Sequence, residues 1–234
     1  MRLNKYIAHA GIASRRKADE LTVNGNVKIN GMVVKEPGCD VADGDVVEVN
    51  GMTVSSAEKP EYVMVNKPLG YITAMKDPQE RPTVAELVAD IDARLFPVGR
   101  LDFNTAGLLL MTNDGDLAYR LAHPKHGVYK TYRATVTGVL SKERIHKLQS
   151  GVDIGGYVTS PAKVKIIKQG ERSALVEIQI REGKNRQVRK MFAAVGNKVQ
   201  ELQRVAIGDL YLGRLKEGHY RKLTKEEIEY LKGC

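Results

Sequence analysis

Leu3, Tyr6, Ile7 and Ala10 recur at helical spacing, and Gly11 follows as a stop. Ser14 is placed to cap a second helix from Arg15 to about Val23, with Asn24-Gly25 at its end. The period then changes to two. Val27-Lys28-Ile29 alternates, Asn30-Gly31 is a strong hairpin signal, and Met32-Val33-Val34 follows. Val46-Val47-Glu48-Val49 predicts another strand, closed by Asn50-Gly51. Two short helices and a few short strands define a small module over residues 1–58, and residues 55–61 read as a linker.

Residues 59–234 predict a larger α+β domain. Strands are expected at Tyr62 to Val65, Leu108 to Met111, Lys130 to Val136 and Ala174 to Ile180. Helices are expected at Val84 to Val88, at Asp116 to Ala122, and from the Ser141 cap to Gly151. Asn185 is expected to cap Arg186 to Val195, and Thr224 with Glu227 forms a capping box for a last helix. The strict βαβ alternation of a doubly wound fold is missing, and no internal repeat is visible.

Composition narrows the partners. With 42% apolar and 28% charged residues the chain is expected to be globular, and no apolar run approaches the roughly 20 residues of a membrane span. The N-terminus has no signal-peptide core, and Cys39 and Cys234 lack metal-ligand spacing, so a reducing cytoplasm is expected. The net charge of +9 favours polyanions. Residues 1–59 hold 8 Lys/Arg against 8 Asp/Glu, so the whole excess lies downstream. The neutral module is nonetheless segregated: Arg2, Lys5, Arg15, Arg16, Lys17 and Lys28 come early, and Glu36, Asp40, Asp43, Asp45 and Glu48 come late. A basic face is hidden in that sum.

The stretch Gly99-Arg100-Leu101-Asp102-Phe103-Asn104-Thr105-Ala106-Gly107-Leu108-Leu109-Leu110 sets an acid in a loop before a buried strand, beside an arginine and between glycines that let a backbone approach a ligand. It resembles the catalytic motif of pseudouridine synthases, specifically the branch that modifies small- and large-subunit ribosomal RNA. Asn66-Lys67-Pro68-Leu69-Gly70 resembles that family's first motif, and Thr112-Asn113-Asp114-Gly115 continues the second. Lys130-Thr131-Tyr132 resembles its tyrosine-bearing strand, and residues 181–192, Arg-Glu-Gly-Lys-Asn-Arg-Gln-Val-Arg-Lys-Met-Phe, its third motif. Arg2-Leu3-Asn4-Lys5-Tyr6, Ser14-Arg15-Arg16-Lys17-Ala18 and residues 25–31 resemble an RNA-binding module named after a small-subunit ribosomal protein.

The resemblance implies an α/β RNA-binding module followed by a catalytic domain on a mostly antiparallel sheet with flanking helices. It implies isomerisation of a uridine, with Asp102 as the carboxylate, Arg189 pairing with it, and Tyr132 stacking on a uracil flipped into the pocket. Asp102 could attack the sugar, attack the ring, or remove a ribose proton. RNA contacts are expected from Arg2, Lys5, Arg15, Arg16, Lys17, Lys67, Arg100, Lys130, Arg186 and Lys190. The partner would be ribosomal RNA or an assembly intermediate, met by a monomer without a membrane. A related branch has histidine where this chain has Arg186, which favours the large subunit. An inert ribosome-assembly factor would share the RNA binding but leave Asp102 idle, and an enzyme for transfer RNA or the small subunit would share the chemistry. No metal or cofactor is expected: Asp114-Gly115 is a turn signal, Asp116 suits a first helical turn, the five histidines lack ligand spacing, and no phosphate-cradling glycine loop is present.

Overall fold

The computed structural model describes residues 1–55 and 59–234. The expected linker at 55–61 and the expected boundary at 58/59 touch residues 56–58, which lie outside the described residues. The chain divides into two units, Met1–Glu61 with Asp92–Arg94 and Asn113–Gly115, and the remainder.

In the first unit, helices α1 (Leu3–His9) and α2 (Arg15–Val23) accompany a sheet of β1 (Val27–Ile29), β2 (Met32–Val34), β3 (Val47–Val49) and β4 (Met52–Val54). The sheet is antiparallel in the order β2-β1-β3-β4. The Ser14 hydroxyl accepts from the Lys17 N–H at 3.2 Å, as an N-cap should. Asn30-Gly31 and Asn50-Gly51 both sit in the left-handed region that two-residue hairpins need, so Asn50-Gly51 leads into β4 rather than ending the sheet. Leu3, Ile7, Ala18, Val27, Val47 and Val49 fill the core.

The second unit is built on nine strands: β5 (Tyr62–Lys67), β6 (Phe96–Pro97), β7 (Ala106–Thr112), β8 (Lys130–Thr137), β9 (Lys163–Gln169), β10 (Ser173–Ile180), β11 (Val199–Ile207), β12 (Leu210–Tyr211) and β13 (Tyr220–Lys222). Their main order is β13-β5-β7-β11-β8-β10-β9, with β12 on β11 and β6 on β7. Among the paired strands of the described residues, the central β7–β11 pair alone is parallel. Helices α3 (Gly115–Ala122), α4 (Lys142–Ser150), α5 (Gln187–Ala194) and α6 (Lys225–Lys232) complete it. The Thr224–Glu227 capping box opens α6. Both β5 and β7 are buried along their whole length, which is why their sequences are continuous apolar runs rather than alternating ones.

Two local expectations change. Val84 to Val88 supplies only a 3₁₀ turn at Glu86–Val88. Asn185 does not cap α5. The N-cap is Arg186, left-handed at φ 53° with no side-chain cap, and Gln187 ties the turn by accepting at Oε1 from the Lys184 N–H at 3.1 Å.

Candidate active site

Asp102 lies in the loop between β6 and β7, and that loop is held at consecutive residues. Thr73 clamps Leu101 from both sides, its hydroxyl donating to the Leu101 carbonyl at 2.8 Å and accepting from the Leu101 N–H at 3.1 Å. The Thr105 N–H donates to the Asp102 carbonyl at 3.0 Å, and the Gly70 N–H to the Phe103 carbonyl at 2.9 Å. Arg189 Nη2 donates to the Asn104 carbonyl at 2.6 Å, and Arg186 Nη1 to Asn104 Oδ1 at 3.2 Å. Each tie to residues 101–103 uses main-chain atoms of the loop, so the half-buried Asp102 carboxylate is left available.

The loop forms one wall of a cavity of about 490 Å³. Tyr132, Lys130 and Arg204 line it from β8 and β11, and residues 182–188 close another side. Glu182 holds that side in place: its carboxylate accepts from Ser160 Oγ at 2.7 Å, Gln187 Nε2 at 2.7 Å and Tyr157 Oη at 3.1 Å. Burial would push that carboxyl up, but these donors outweigh it and hold it below the usual carboxylate range. Arg81, also on the lining, is gripped by Asp77 through 2.8 and 2.9 Å bonds, which hold Asp77 down at about 2.

Arg189 was expected to pair with Asp102 and does not reach it. Its terminal nitrogens are committed to the carbonyls of Asn104 and, at 3.1 Å, Val199, so it fastens the Asp102 loop rather than the carboxylate. Burial and the neighbouring Arg186 charge push its guanidinium below the ordinary value, and the field of Asp102 opposes them.

Lys67 does not suit the expected phosphate contact, because its ammonium is turned into the protein. Lys67 is 0% exposed, with Nζ donating to the Pro68 and Thr105 carbonyls at 2.9 Å each. Lys130 is 8% exposed. Arg100, Arg186 and Lys190 in this unit, and Arg2, Arg15, Arg16 and Lys17 in the first, are exposed as a polyanion surface requires. Lys5 is half-buried. Lys17 pairs with Glu20 at 2.7 Å, and Arg2 with Asp40 at 3.7 Å.

Sequence reasoning missed Arg204, Thr73 and Glu182. Arg204 carried a signal: in Leu202-Gln203-Arg204-Val205-Ala206 it falls on the buried side of a period-two alternation. Among the described residues no helix is long and apolar enough to cross a membrane, and no three His, Cys, Asp or Glu side chains group to hold a metal.

Burial pushes Lys67 down to about 8, against the opposing fields of Asp102 and Glu217. A lysine whose folded pKa lies below its unfolded value binds fewer protons folded than unfolded between the two, so its contribution to stability rises with pH there. Measured by urea unfolding, the stability of wild type relative to Lys67→Met should therefore increase from pH 8 toward 10.5. A flat difference would mean that Lys67 stays charged.

Comparison with known proteins agrees with this geometry. Residues 61–194 match the RNA pseudouridylate synthase family, and residues 1–47 the S4 domain. The ribosomal large subunit pseudouridine synthase B of Bacillus subtilis (strain 168) is 45% identical over 233 residues, covering 99% of this chain and 95% of that protein. An uncharacterized RNA pseudouridine synthase of Aquifex aeolicus (strain VF5) is 40% identical over 233 residues, 99% of this chain and 93% of that one. A crystal structure of a pseudouridylate synthase superposes with a TM-score of 0.71 at 35% identity, covering 99% of both chains. The chain is an RNA-modifying isomerase with an S4 module; it belongs to the RNA pseudouridylate synthase family.

Proposed function

We propose that the protein isomerises one uridine of large-subunit ribosomal RNA to pseudouridine, with Asp102 as the carboxylate at the reacting sugar. The observation that carries this reading is the placement of Asp102 on a main-chain-clamped loop, on the lining of the same cavity as Tyr132. The bond from ribose C1′ to N1 must break, the base must turn, and C1′ must rejoin the ring at C5. A carboxylate carried on a clamped main chain at the cavity wall meets the first demand. A walled cavity meets the second by preventing the free base from escaping.

A uridine stacked in RNA cannot reach that cavity, so it is flipped out at a cost of about a few kcal/mol. Stacking on Tyr132, at about 1–3 kcal/mol, and phosphate contacts by Arg100, Arg186 and Lys190 offset that cost. Arg2, Lys5, Arg15, Arg16 and Lys17 of the first unit hold RNA backbone by their charge. The protein works as a monomer in the cytoplasm without a cofactor. The large-subunit choice is supported by the 45% identity to the Bacillus subtilis enzyme, whose name carries that substrate.

The test is tritium release from RNA made with uridine labelled at C5, since the new carbon–carbon bond must expel that hydrogen. Wild type is expected to release about one tritium per large-subunit RNA and none from small-subunit or transfer RNA. Release from small-subunit RNA instead would move the substrate. Intact binding with no release from any RNA, naked or in assembly particles, would leave an inert assembly factor.

A further inference from the structure

On the cavity lining, Lys130 and Tyr132 stand two residues apart on β8 and therefore on one face of the sheet. Arg204 lies opposite Tyr132 in the β8–β11 register and lines the same cavity. Lys130 is 8% exposed and Arg204 4%. Arg204 spends Nε on the Leu108 carbonyl at 2.7 Å, while its Nη2 is buried with no partner. No ion pair is formed by either among the described residues. The two repel each other: burial, with Arg204's charge adding to it, pushes Lys130 down to about 8. Two unpaired buried cations destabilise a fold, and a cation that serves no carboxylate is arranged for something that arrives.

We infer that Lys130 and Arg204 are catalytic residues that hold the detached uracil by its two carbonyl oxygens while the ring carries negative charge. This rests on the uridine-isomerase reading above. When the C1′–N1 bond breaks, its electron pair stays with N1, and the charge spreads over N1, O2 and O4. Addition of Asp102 to the ring would also place charge on a carbonyl oxygen, so both uses of the carboxylate create the same demand. Fixed cations on the cavity wall meet it without having to reorganise.

The geometry of uracil makes two cations useful rather than one. A half-turn about the axis through N3 and C6 exchanges N1 with C5, and it also exchanges O2 with O4. A pair of donors holding the two carbonyls therefore finds the same pair of acceptors before and after the turn. The second bond then forms from C5 to C1′, the C5 proton leaves to solvent, and N1 regains a proton. Lys130 and Arg204 remain charged throughout, and no electrons are gained or lost.

The experiment compares wild type with Lys130→Met by tritium release, RNA affinity across salt, and thermal unfolding. Expected are a kcat lowered by about 100-fold, KM and Kd within about threefold of wild type, an unchanged salt slope, and a higher unfolding midpoint because a buried unpaired charge is gone. Lys130→Gln, which keeps a donor but not the charge, should lose turnover similarly. Turnover within threefold of wild type in either variant overturns the proposal. So does a raised KM with a shallower salt slope at unchanged kcat, which would make Lys130 a phosphate contact. A lowered midpoint in both variants, accompanying the loss, would make it structural. Absence of release by wild type on every RNA would instead sink the isomerase reading itself.

Discussion

Asp102→Asn is expected to lower tritium release at least about 10⁴-fold, while the affinity for large-subunit RNA stays within about threefold of wild type. The first number is the scale on which removal of an essential reacting group acts. The second follows from how the loop is held. Leu101 is gripped by Thr73, the Asp102 carbonyl by the Thr105 N–H, and the Phe103 carbonyl by the Gly70 N–H. Those bonds do not involve the carboxylate, so exchanging one of its oxygens for an amide nitrogen leaves the cavity wall in place. The proposed RNA backbone contacts lie elsewhere, on exposed Arg100, Arg186 and Lys190 and on the S4 module, and the salt slope should be unchanged. Release by the variant at the wild-type rate would remove Asp102 from the reaction. A drop in RNA affinity equal to the drop in rate would make its role one of binding.

What could be read from the sequence follows how local its cause is. The Asn30-Gly31 hairpin, the Ser14 cap and the Thr224–Glu227 capping box each depend on residues within a few positions, and all three form as the pattern implies. The alternation of Lys130 to Val136 likewise places Tyr132, Ala134 and Val136 inward. Strands β11 and β13 escaped because their partners, β7 and β8 for the one and β5 for the other, lie far along the chain; β9 escaped although its partner β10 is its neighbour. β11 is buried between β7 and β8, and β9 is an edge strand whose three lysines and glutamine read as solvent-facing loop.

The site divides in the same way. The setting of Asp102 and the third motif were legible as motifs. The burial of Lys67, Lys130 and Arg204 was not, since a lysine or arginine is assigned to solvent unless packing says otherwise. The pairing of Arg189 with the carbonyls of Asn104 and Val199, in place of the expected carboxylate, depends on how α5 packs against the loop and β11, which no spacing encodes.

Gly107→Ala is expected to cost the catalytic unit about 3 kcal/mol or more, lowering its thermal midpoint by about 10 °C. The glycines of the Asp102 stretch suggested a backbone approaching a ligand, but Gly107 approaches another strand. It pairs with Lys67 of β5 on one side and Arg204 of β11 on the other, where the sheet has its one parallel junction. Its φ is +107°, a conformation that disfavours any side chain. A Cβ there would also overlap the Arg204 carbonyl oxygen and lie 2.8 Å from both the Arg204 nitrogen and Gln203 Cγ. Two of those atoms are backbone in a paired strand, so β11 must move, and Arg204 moves with it. Gly99→Ala provides the control: φ is +71° there, but nothing lies within 4 Å of the added methyl. That variant carries backbone strain alone, about 1 kcal/mol or somewhat more. The comparison is made by thermal unfolding followed through circular dichroism. A much larger loss at Gly107 would locate the cost in contact with β11. Equal losses would reduce Gly107 to another strained turn and remove the argument that close strand approach at this junction requires glycine.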